Sequence, residues 1–224
     1  MKKLFTLLAL TLSFSMNAQM SDNSVGTSAG SNAVAMGNST TASGSSSTAM
    51  GGHTTASGGR STSMGSITTA SGYASTAMGY ETTASGYAST AMGYRTTASG
   101  DWSTAMGLRT TASGNKTTAM GAYTTASDYA SLVIGRYNSS GSSVTNSATA
   151  YNTANTAFVI GNGVDSSNKS DAFKVMFNGD TTVGGDITIS SDARLKSNIV
   201  SLVQVLQFFA FRLFHKTYHQ LVVA

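Results

Sequence analysis

The central part of the chain repeats a pattern of small, apolar and polar residues with a strict period of 14. Met-Gly pairs recur at this spacing, and an Ile-Gly pair continues the series. A second series of glycines runs from Gly30 to Gly114 with the same period and ends in Asp128. One unit, residues 83–96, has the sequence TASGYASTAMGYRT. The first series consists of Met36, Met50, Met64, Met78, Met92, Met106, Met120 and Ile134.

This pattern favours strands over helices. A glycine every seventh residue would cost about 1 kcal/mol each time in a helix interior. In a strand, side chains alternate between faces, so Thr76 and Met78 point one way and Ala77 the other. Fourteen residues fit one coil of strand, turn, strand and turn. The sequence therefore predicts an all-β, parallel β-solenoid, in which eight coils spaced about 4.8 Å apart form a rod of about 35 Å.

Stacked coils place equivalent residues above one another in ladders. The methionines are predicted to fill the narrow interior, because a flexible thioether adapts to irregular space. The alanines then form a flat small-residue strip on the opposite face, and the glycines supply positive φ at the turns. Because so thin a coil buries little on its own, we expect neighbouring copies to cover that strip as a homotrimer. The alanines concerned are Ala49, Ala77, Ala91, Ala105 and Ala119.

Several ladders are predicted at the turns. Tyr73 is expected to stack with Tyr87 and Tyr80 with Tyr94, because each pair is one coil apart. Glu81 and Arg95 are also one coil apart and are expected to pair. The single tryptophan, Trp102, falls at a turn edge, where it is either a contact residue or an ordinary surface aromatic.

Composition and charge narrow the functional classes. Only 10% of residues are charged, and neither cysteine nor proline is present, which excludes disulfides and cysteine-ligated metals. The 13 basic and nine acidic residues are dispersed along the chain, so no basic stripe for nucleic acid is expected. No cofactor and no metal site are predicted.

The N-terminus is typical of a secretory signal. Lys2 and Lys3 precede an apolar stretch from Leu4 to Phe14, and the small residue Ala18 stands before Gln19. That stretch is too short to span a bilayer, so no transmembrane segment is expected in the mature chain. We expect cleavage near Ala18 and a secreted or cell-surface, outer-membrane-associated product.

The units TASGYASTAMGYE and SNAVAMG resemble the head repeats of trimeric autotransporter adhesins of the YadA type. The resemblance covers residues 27–135. It implies a left-handed parallel β-roll, three chains packed side by side, and a surface-exposed head that binds host, matrix or other surface material. The chain has Thr where that family has Val, and Met where it has Ile. The family's coiled-coil stalk and membrane barrel have no counterpart in the sequence.

The C-terminal third departs from the period. Strands are predicted at 157–160, 172–177 and 187–189, between turns rich in glycine and asparagine. The sequence SSDARLKSNI at 190–199 resembles the start of the peptidase S74 domain, an intramolecular chaperone that trimerises and cuts itself off. The resemblance maps its nucleophile onto Ser191 and its base onto Lys196. A helix cap by Ser191 is the alternative, and the 25 residues after Ile199 are too few for the whole domain, so cleavage is not expected.

Three functions follow from these observations. The first is an exported, adhesin-like trimeric fibre with a structural and binding role; the second is a self-cleaving fibre precursor; the third is an ice- or crystal-binding solenoid, suggested by repeated Thr-Thr pairs. The predicted organisation is a signal peptide at 1–18, a leader at 19–26, a β-roll head at 27–136, a polar spacer at 137–155, a β-rich connector at 156–189, and a truncated S74-like, helical segment at 190–224.

Overall fold

The structure, a computed structural model, describes residues 27–186 and consists of short strands joined by tight turns. The strands of the repeat are β1 (Thr27–Ser28), β2 (Val34–Asn38), β3 (Thr41–Ala42), β4 (Thr48–Gly52), β5 (Thr55–Ala56), β6 (Thr62–Ser66), β7 (Thr69–Ala70), β8 (Thr76–Tyr80), β9 (Thr83–Ala84), β10 (Thr90–Tyr94), β11 (Thr97–Ala98), β12 (Thr104–Leu108), β13 (Thr111–Ala112), β14 (Thr118–Ala122), β15 (Thr125–Ala126) and β16 (Leu132–Arg136). They are followed by β17 (Thr156–Asn162), β18 (Asp171–Met176) and β19 (Thr181–Val183).

The strands form two sheets, one on each side of the coil. The odd-numbered strands from β1 to β15 make an eight-stranded sheet, the short-strand sheet. The even-numbered strands from β2 to β16, with β17, β18 and β19, make an eleven-stranded sheet, the long-strand sheet. Each repeat strand pairs in parallel with the strand one coil away, so that Thr90 lies opposite Thr104 and Met92 opposite Met106. The predicted parallel β-solenoid of 14-residue coils is confirmed, with about seven coils where eight were predicted.

The interior of the coil is built from alanine. Ala77 and Ala91 of the long-strand sheet and Ala84 and Ala98 of the short-strand sheet have no exposed surface, and they belong to one continuous core cluster. Buried threonine and serine side chains, such as Thr82, lie at the corners. Methyl groups from both sheets fill this space, and the largest apolar side chains it holds are those of Val133 and Val159.

The prediction that methionine fills the interior is therefore wrong. The strand register does align the methionines in one ladder, with Met64 beside Met78 and Met78 beside Met92. Their side chains, however, lie on the outer face of the long-strand sheet and are partly exposed. The alanine strip, predicted to face neighbouring chains, is the buried side. Alternation correctly separated Met from Ala, but the closeness of the two sheets decided which residue is inside.

Glycine is required in the two series for different physical reasons. Gly79 has a φ of 122°, and a Cβ there would lie 2.0 Å from the carbonyl oxygen of Gly93 in the next coil. Gly86 has no positive φ, but a Cβ there would also lie 2.0 Å from the carbonyl oxygen of Gly100. The expectation of positive φ thus holds for Gly79 and is wrong for Gly86, where close approach of stacked backbones requires glycine.

The left-handed turn positions are occupied instead by residues with side chains. One non-glycine residue in every seven has a φ between 42° and 60°, among them Ile67, Glu81, Arg95 and Trp102. In each half of the coil, a glycine is followed two residues later by a left-handed residue, although only the glycines of the Met-Gly pairs have a positive φ themselves. This geometry points the variable side chains away from the core.

Among the residues at these left-handed positions, Ile67 has the greatest conformational strain, because its side chain is β-branched. Its side chain is 46% exposed, so replacement removes little buried surface. We expect Ile67→Asn to stabilise the protein by about 1 kcal/mol, since asparagine tolerates this conformation. Thermal unfolding measures the change. Ser66→Asn, at a neighbouring position without positive φ, is the control; an equal gain there would contradict the explanation.

The C-terminal end of the repeat is held by polar side chains. Asp128, which replaces the glycine of its series, is fully buried. Its carboxylate accepts the backbone N–H groups of Thr145 at 2.6 Å and Thr156 at 2.7 Å. The buried Asn155 accepts the N–H of Ser147 at 2.9 Å. These bonds fold residues 137–155 against the last coil.

The two later strands predicted within the described residues are confirmed. β17 adds to β16 in parallel and contains 157–160, whereas β18 covers most of 172–177 and pairs with β17 antiparallel. The sequence did not predict β19, which pairs antiparallel with β18. The strand predicted at 187–189 lies outside the described residues. Over 27–186 the structure contains no helix long and apolar enough to cross a membrane.

Candidate functional site

The charged and aromatic side chains of the repeat lie at the turns, along two edges of the rod. One edge follows the glycines of the Ala-Ser-Gly series; we call it the tryptophan ridge. It consists of Arg60, Tyr73, Tyr87, Trp102, Lys116 and Tyr129. The other edge follows the Met-Gly pairs; we call it the arginine ridge. It consists of Tyr80, Glu81, Tyr94, Arg95, Arg109, Tyr123, Arg136 and Tyr137.

The tryptophan ridge is an unbroken stack over six successive coils. The rings of Tyr73 and Tyr87 are nearly parallel with centroids 5.4 Å apart, which confirms their predicted stacking. Trp102 continues the stack, with its centroid 5.4 Å from that of Tyr87 and a tilt of 60°. Arg60 lies over Tyr73 at 5.5 Å, and the Lys116 Nζ lies 5.7 Å from the Trp102 centroid. Arg60 therefore covers one end of the ridge, and Lys116 lies between Trp102 and Tyr129, with its Nζ 5.1 Å from the Tyr129 centroid.

Side chains one coil apart fix the backbone beneath this ridge. The Asp101 carboxylate accepts the N–H of Tyr87 at 2.9 Å, and the Asn115 carbonyl accepts the N–H of Asp101 at 3.0 Å. Lys116 donates from Nζ to the Tyr129 hydroxyl at 2.7 Å. Hydrogen bonds between successive coils, along the rod axis, therefore hold the ridge in position.

The arginine ridge contains two separate stacks. Tyr80 and Tyr94 stack with centroids 5.1 Å apart, as predicted. Arg109 lies over Tyr123 at 5.6 Å, and Tyr123 stacks on Tyr137 at 4.4 Å. Arg136 then lies over Tyr137 at 5.1 Å. The second stack therefore contains two tyrosines, each with a guanidinium group near its ring.

An ion pair reinforces the first of these stacks. Arg95 donates from Nε and Nη2 to the Glu81 carboxylate, with the Nη2–Oε1 bond at 3.2 Å, which confirms the predicted pairing. The hydrogen bond from Arg95 lowers the pKa of Glu81 below its ordinary value. A hydrogen bond to Glu81 raises the pKa of Tyr80. The Glu81 carboxylate is therefore already bonded to side chains of the same ridge.

The Glu81–Arg95 pair gives stability a small dependence on pH. Because folding lowers the pKa of Glu81, the stabilisation is present at neutral pH and is lost as pH falls through that lowered value. We expect Glu81→Gln to lower the melting temperature slightly at neutral pH and to match the parent at an acidic pH below the lowered pKa of Glu81. A difference of the same size at both pH values would contradict this account.

The flat faces between the ridges carry no charge over the repeat. On the short-strand sheet, Thr83 and Ser85 project outward while Ala84 is buried. On the long-strand sheet, the outward residues are Thr90 and Met92. Each face therefore repeats one pair of side chains in every coil, in register with the next.

The structure places the sequence-predicted residues in three ways. The methionine ladder exists in register but on an outer face, and Trp102 is part of the tryptophan ridge. Ser191 and Lys196 lie outside the described residues, so the prediction that the bond before Ser191 stays intact is untested. The sequence analysis did not predict that Arg60, Trp102 and Lys116 belong to one ridge. Aligning the chain in rows of 14 brings these three into one column, which is the signal that identifies them.

Comparison with known proteins identifies the coils. Four consecutive stretches match the YadA head domain repeat (2 copies) at residues 28–54, 56–82, 84–110 and 112–138. YadA head repeats are present in this chain. The YadA resemblance seen in the sequence is thereby confirmed for the repeat. No curated protein matches the chain.

Proposed function

We propose that the chain is an exported, adhesin-like protein whose YadA head repeats assemble as a homotrimer on the cell surface or after secretion. The observation that carries the proposal is the match of four stretches within 28–138 to YadA head repeats, folded here as parallel coils. The ordered ridges and the absence of charge on the flat faces of the described repeat suit a rod that presents side chains along its length. Its role is structural and binding; its ligands are host, matrix or other surface material.

The Thr-Met face of the long-strand sheet is the proposed assembly surface. The alanines are already buried within each chain, so they are not available to a neighbour. The outward face instead presents a continuous row of partly exposed methionines beside threonines, with no charged residue among them. Covering this row removes apolar surface from water at about 25 cal/mol per Å². Three chains facing one another through it stabilise a coil whose own interior contains little beyond alanine.

Sedimentation of the secreted full chain tests this assembly. The parent is expected to sediment as a trimer. Met78→Asp combined with Met92→Asp places charges on the proposed interface and is expected to yield monomers, because buried unpaired carboxylates are costly. The matched control is Thr83→Asp with Thr97→Asp on the outward face of the other sheet, which is expected to remain trimeric. A monomeric parent, or equal dissociation of both variants, would refute the proposed interface.

Mass determination of the secreted product tests the proposed processing. We propose cleavage of the signal peptide near Ala18 and an intact bond between residues 190 and 191. The expected product therefore begins near Gln19, and Ser191→Ala changes its mass only by the lost oxygen. A fragment ending at Ser190 that disappears in Ser191→Ala or Lys196→Ala would instead establish self-cleavage by the S74-like segment.

A second candidate function is binding to ice through the short-strand sheet. The first threonine of each Thr-Thr pair is buried and the second faces outward, so the pairs themselves form no flat array. The second threonine is followed by an alanine and an outward serine, which produces two parallel hydroxyl rows. These rows carry neither charge nor an aromatic ring. They consist of Thr41, Thr55, Thr69, Thr83, Thr97, Thr111 and Thr125, with Ser43, Ser57, Ser71, Ser85, Ser99 and Ser113.

Thermal hysteresis measurements test this second candidate. The parent is expected to depress the freezing point and to shape ice crystals, and Thr83→Lys with Thr97→Lys is expected to abolish both effects by disturbing the rows. Arg109→Lys, at a turn, is the control and retains them. A parent without hysteresis excludes ice binding and leaves the adhesin-like role intact.

A further inference from the structure

We propose that the tryptophan ridge is a binding site for an extended acidic polysaccharide, which lies along the rod axis across successive coils. The inference rests on the proposed adhesin-like function and names the ligand class and the residues that engage it. It follows from the continuity of the ridge, its exposure, its two cations and the hydroxyl row beside it.

The aromatic stack is not required by the fold. Equivalent turn positions in the first two coils hold Asn32, Ser45 and Ser46, and the backbone there follows the same path. In the later coils the same positions hold rings that are 41% to 53% exposed, with Trp102 the most exposed of them. Large apolar groups are scarce in the repeat, so the alignment of exposed rings along this edge marks it as a contact surface.

The two cations of the ridge have no carboxylate partner among the described residues. The ion pair found in 27–186 joins Glu81 and Arg95 on the opposite edge. Arg60 and Lys116 are four coils apart, which corresponds to about 19 Å along the axis. The nearby acid, Asp101, accepts a backbone N–H with its Oδ1. Two such positive charges separated by aromatic rings favour a chain that carries carboxylates at intervals over a single compact anion.

A row of serine hydroxyls runs alongside the rings. Ser71, Ser85 and Ser99 are exposed and precede the ridge residues Tyr73, Tyr87 and Trp102 by two or three positions. Hydroxyls that both donate and accept are suited to sugar hydroxyls, while ring edges and the indole contact the apolar faces of sugars. The edge therefore combines, in every coil from Tyr73 to Trp102, an aromatic group with a hydroxyl.

The shape of the ridge favours a polysaccharide over a protein partner. A stable protein interface buries about 800 Å² on each side and places its central contacts in desolvated pockets. The tryptophan ridge is one to two side chains wide and is held by stacking along the axis. A narrow projecting edge matches a linear chain whose repeating units contact one coil after another.

Binding of hyaluronate to the secreted full chain, measured by calorimetry or biolayer interferometry at low salt, tests the proposal. We expect the parent to bind hyaluronate but not neutral dextran, and poly-glutamate to compete only weakly, because it offers charge without sugar. Trp102→Ala is expected to weaken binding at least tenfold, and Lys116→Gln to weaken it and reduce its salt dependence. Tyr94→Ala and Arg109→Gln, on the arginine ridge, are the matched controls and are expected to bind as the parent does.

Several outcomes would overturn the inference. They are a parent that does not bind hyaluronate, a Tyr94→Ala loss equal to that of Trp102→Ala, or poly-glutamate competing as well as hyaluronate. Adhesion of the parent to immobilised matrix material separates this result from the broader function. Adhesion that Trp102→Ala leaves unchanged refutes the ridge site and keeps the adhesin-like role. Hyaluronate binding without adhesion keeps the ridge site and refutes that role.

Discussion

Gly86→Ala is expected to destabilise the protein by about 3 kcal/mol, although Gly86 has no positive φ for alanine to resist. The added Cβ would lie 2.0 Å from the carbonyl oxygen of Gly100, and both atoms belong to backbones that neighbouring hydrogen bonds hold in place. Neither coil moves without breaking pairing on its other side. Chemical denaturation of the parent and the variant measures the loss.

Gly52→Ala is the matched control for this prediction. Gly52 lies in the same repeat and has no positive φ, and a Cβ added there would meet no atom within 4 Å. We expect Gly52→Ala to be neutral or slightly stabilising, because alanine restricts the unfolded chain. A small effect at Gly86, similar to that at Gly52, would show that the coils separate easily, and the close-approach explanation would fail.

Ala91→Asp is expected to prevent folding of the central coils. Ala91 has no exposed surface, and its neighbours in the interior are further alanines, so a carboxylate there has neither a hydrogen-bond partner nor water. Burying an unpaired charge costs several kcal/mol, a large fraction of the stability of a small domain. Circular dichroism and limited proteolysis of the variant report the loss.

Thr97→Asp is the control for this second prediction, because Thr97 lies on the outward side of the short-strand sheet. It is expected to fold and to melt close to the parent. If Ala91→Asp were tolerated as well as Thr97→Asp, the assignment of alanine to the interior would be wrong, and the methionine face would become the candidate core once more.

The sequence predicts the fold more completely than it predicts which side chains face the inside of the coil and which face the outside. The period of 14, the alternation within strands and the glycines suffice for a parallel solenoid with readable ladders, including the Glu81–Arg95 pair. Alternation alone places Met92 and Ala91 on opposite sides without saying which is buried. Residue size suggested methionine, but the spacing of the two sheets admits only small side chains, mostly alanine with Ser63, Val133 and Val159. That spacing is a property of the assembled coil.

The sequence predicts less of the candidate site than of the fold. The stacking of Tyr73 on Tyr87 follows from the period, because these residues occupy the same position in adjacent coils. Trp102 stands one position later in its coil than Tyr87, so its place in the same stack depends on how the left-handed turn directs each side chain. Two neighbouring turn positions thus contribute to one ridge, which a comparison of single positions does not reveal.

The identical backbone path of every coil has a consequence for how such a chain changes in evolution. Loss or gain of 14 residues within the repeat, as unequal recombination between similar gene segments produces, shortens or lengthens the rod by about 4.8 Å and keeps every ladder in register. A change of seven residues would instead place Met-Gly turns over Ser-Gly turns and exchange the two faces. Length is therefore adjustable in whole coils, and each added coil brings its own turn residues to both edges.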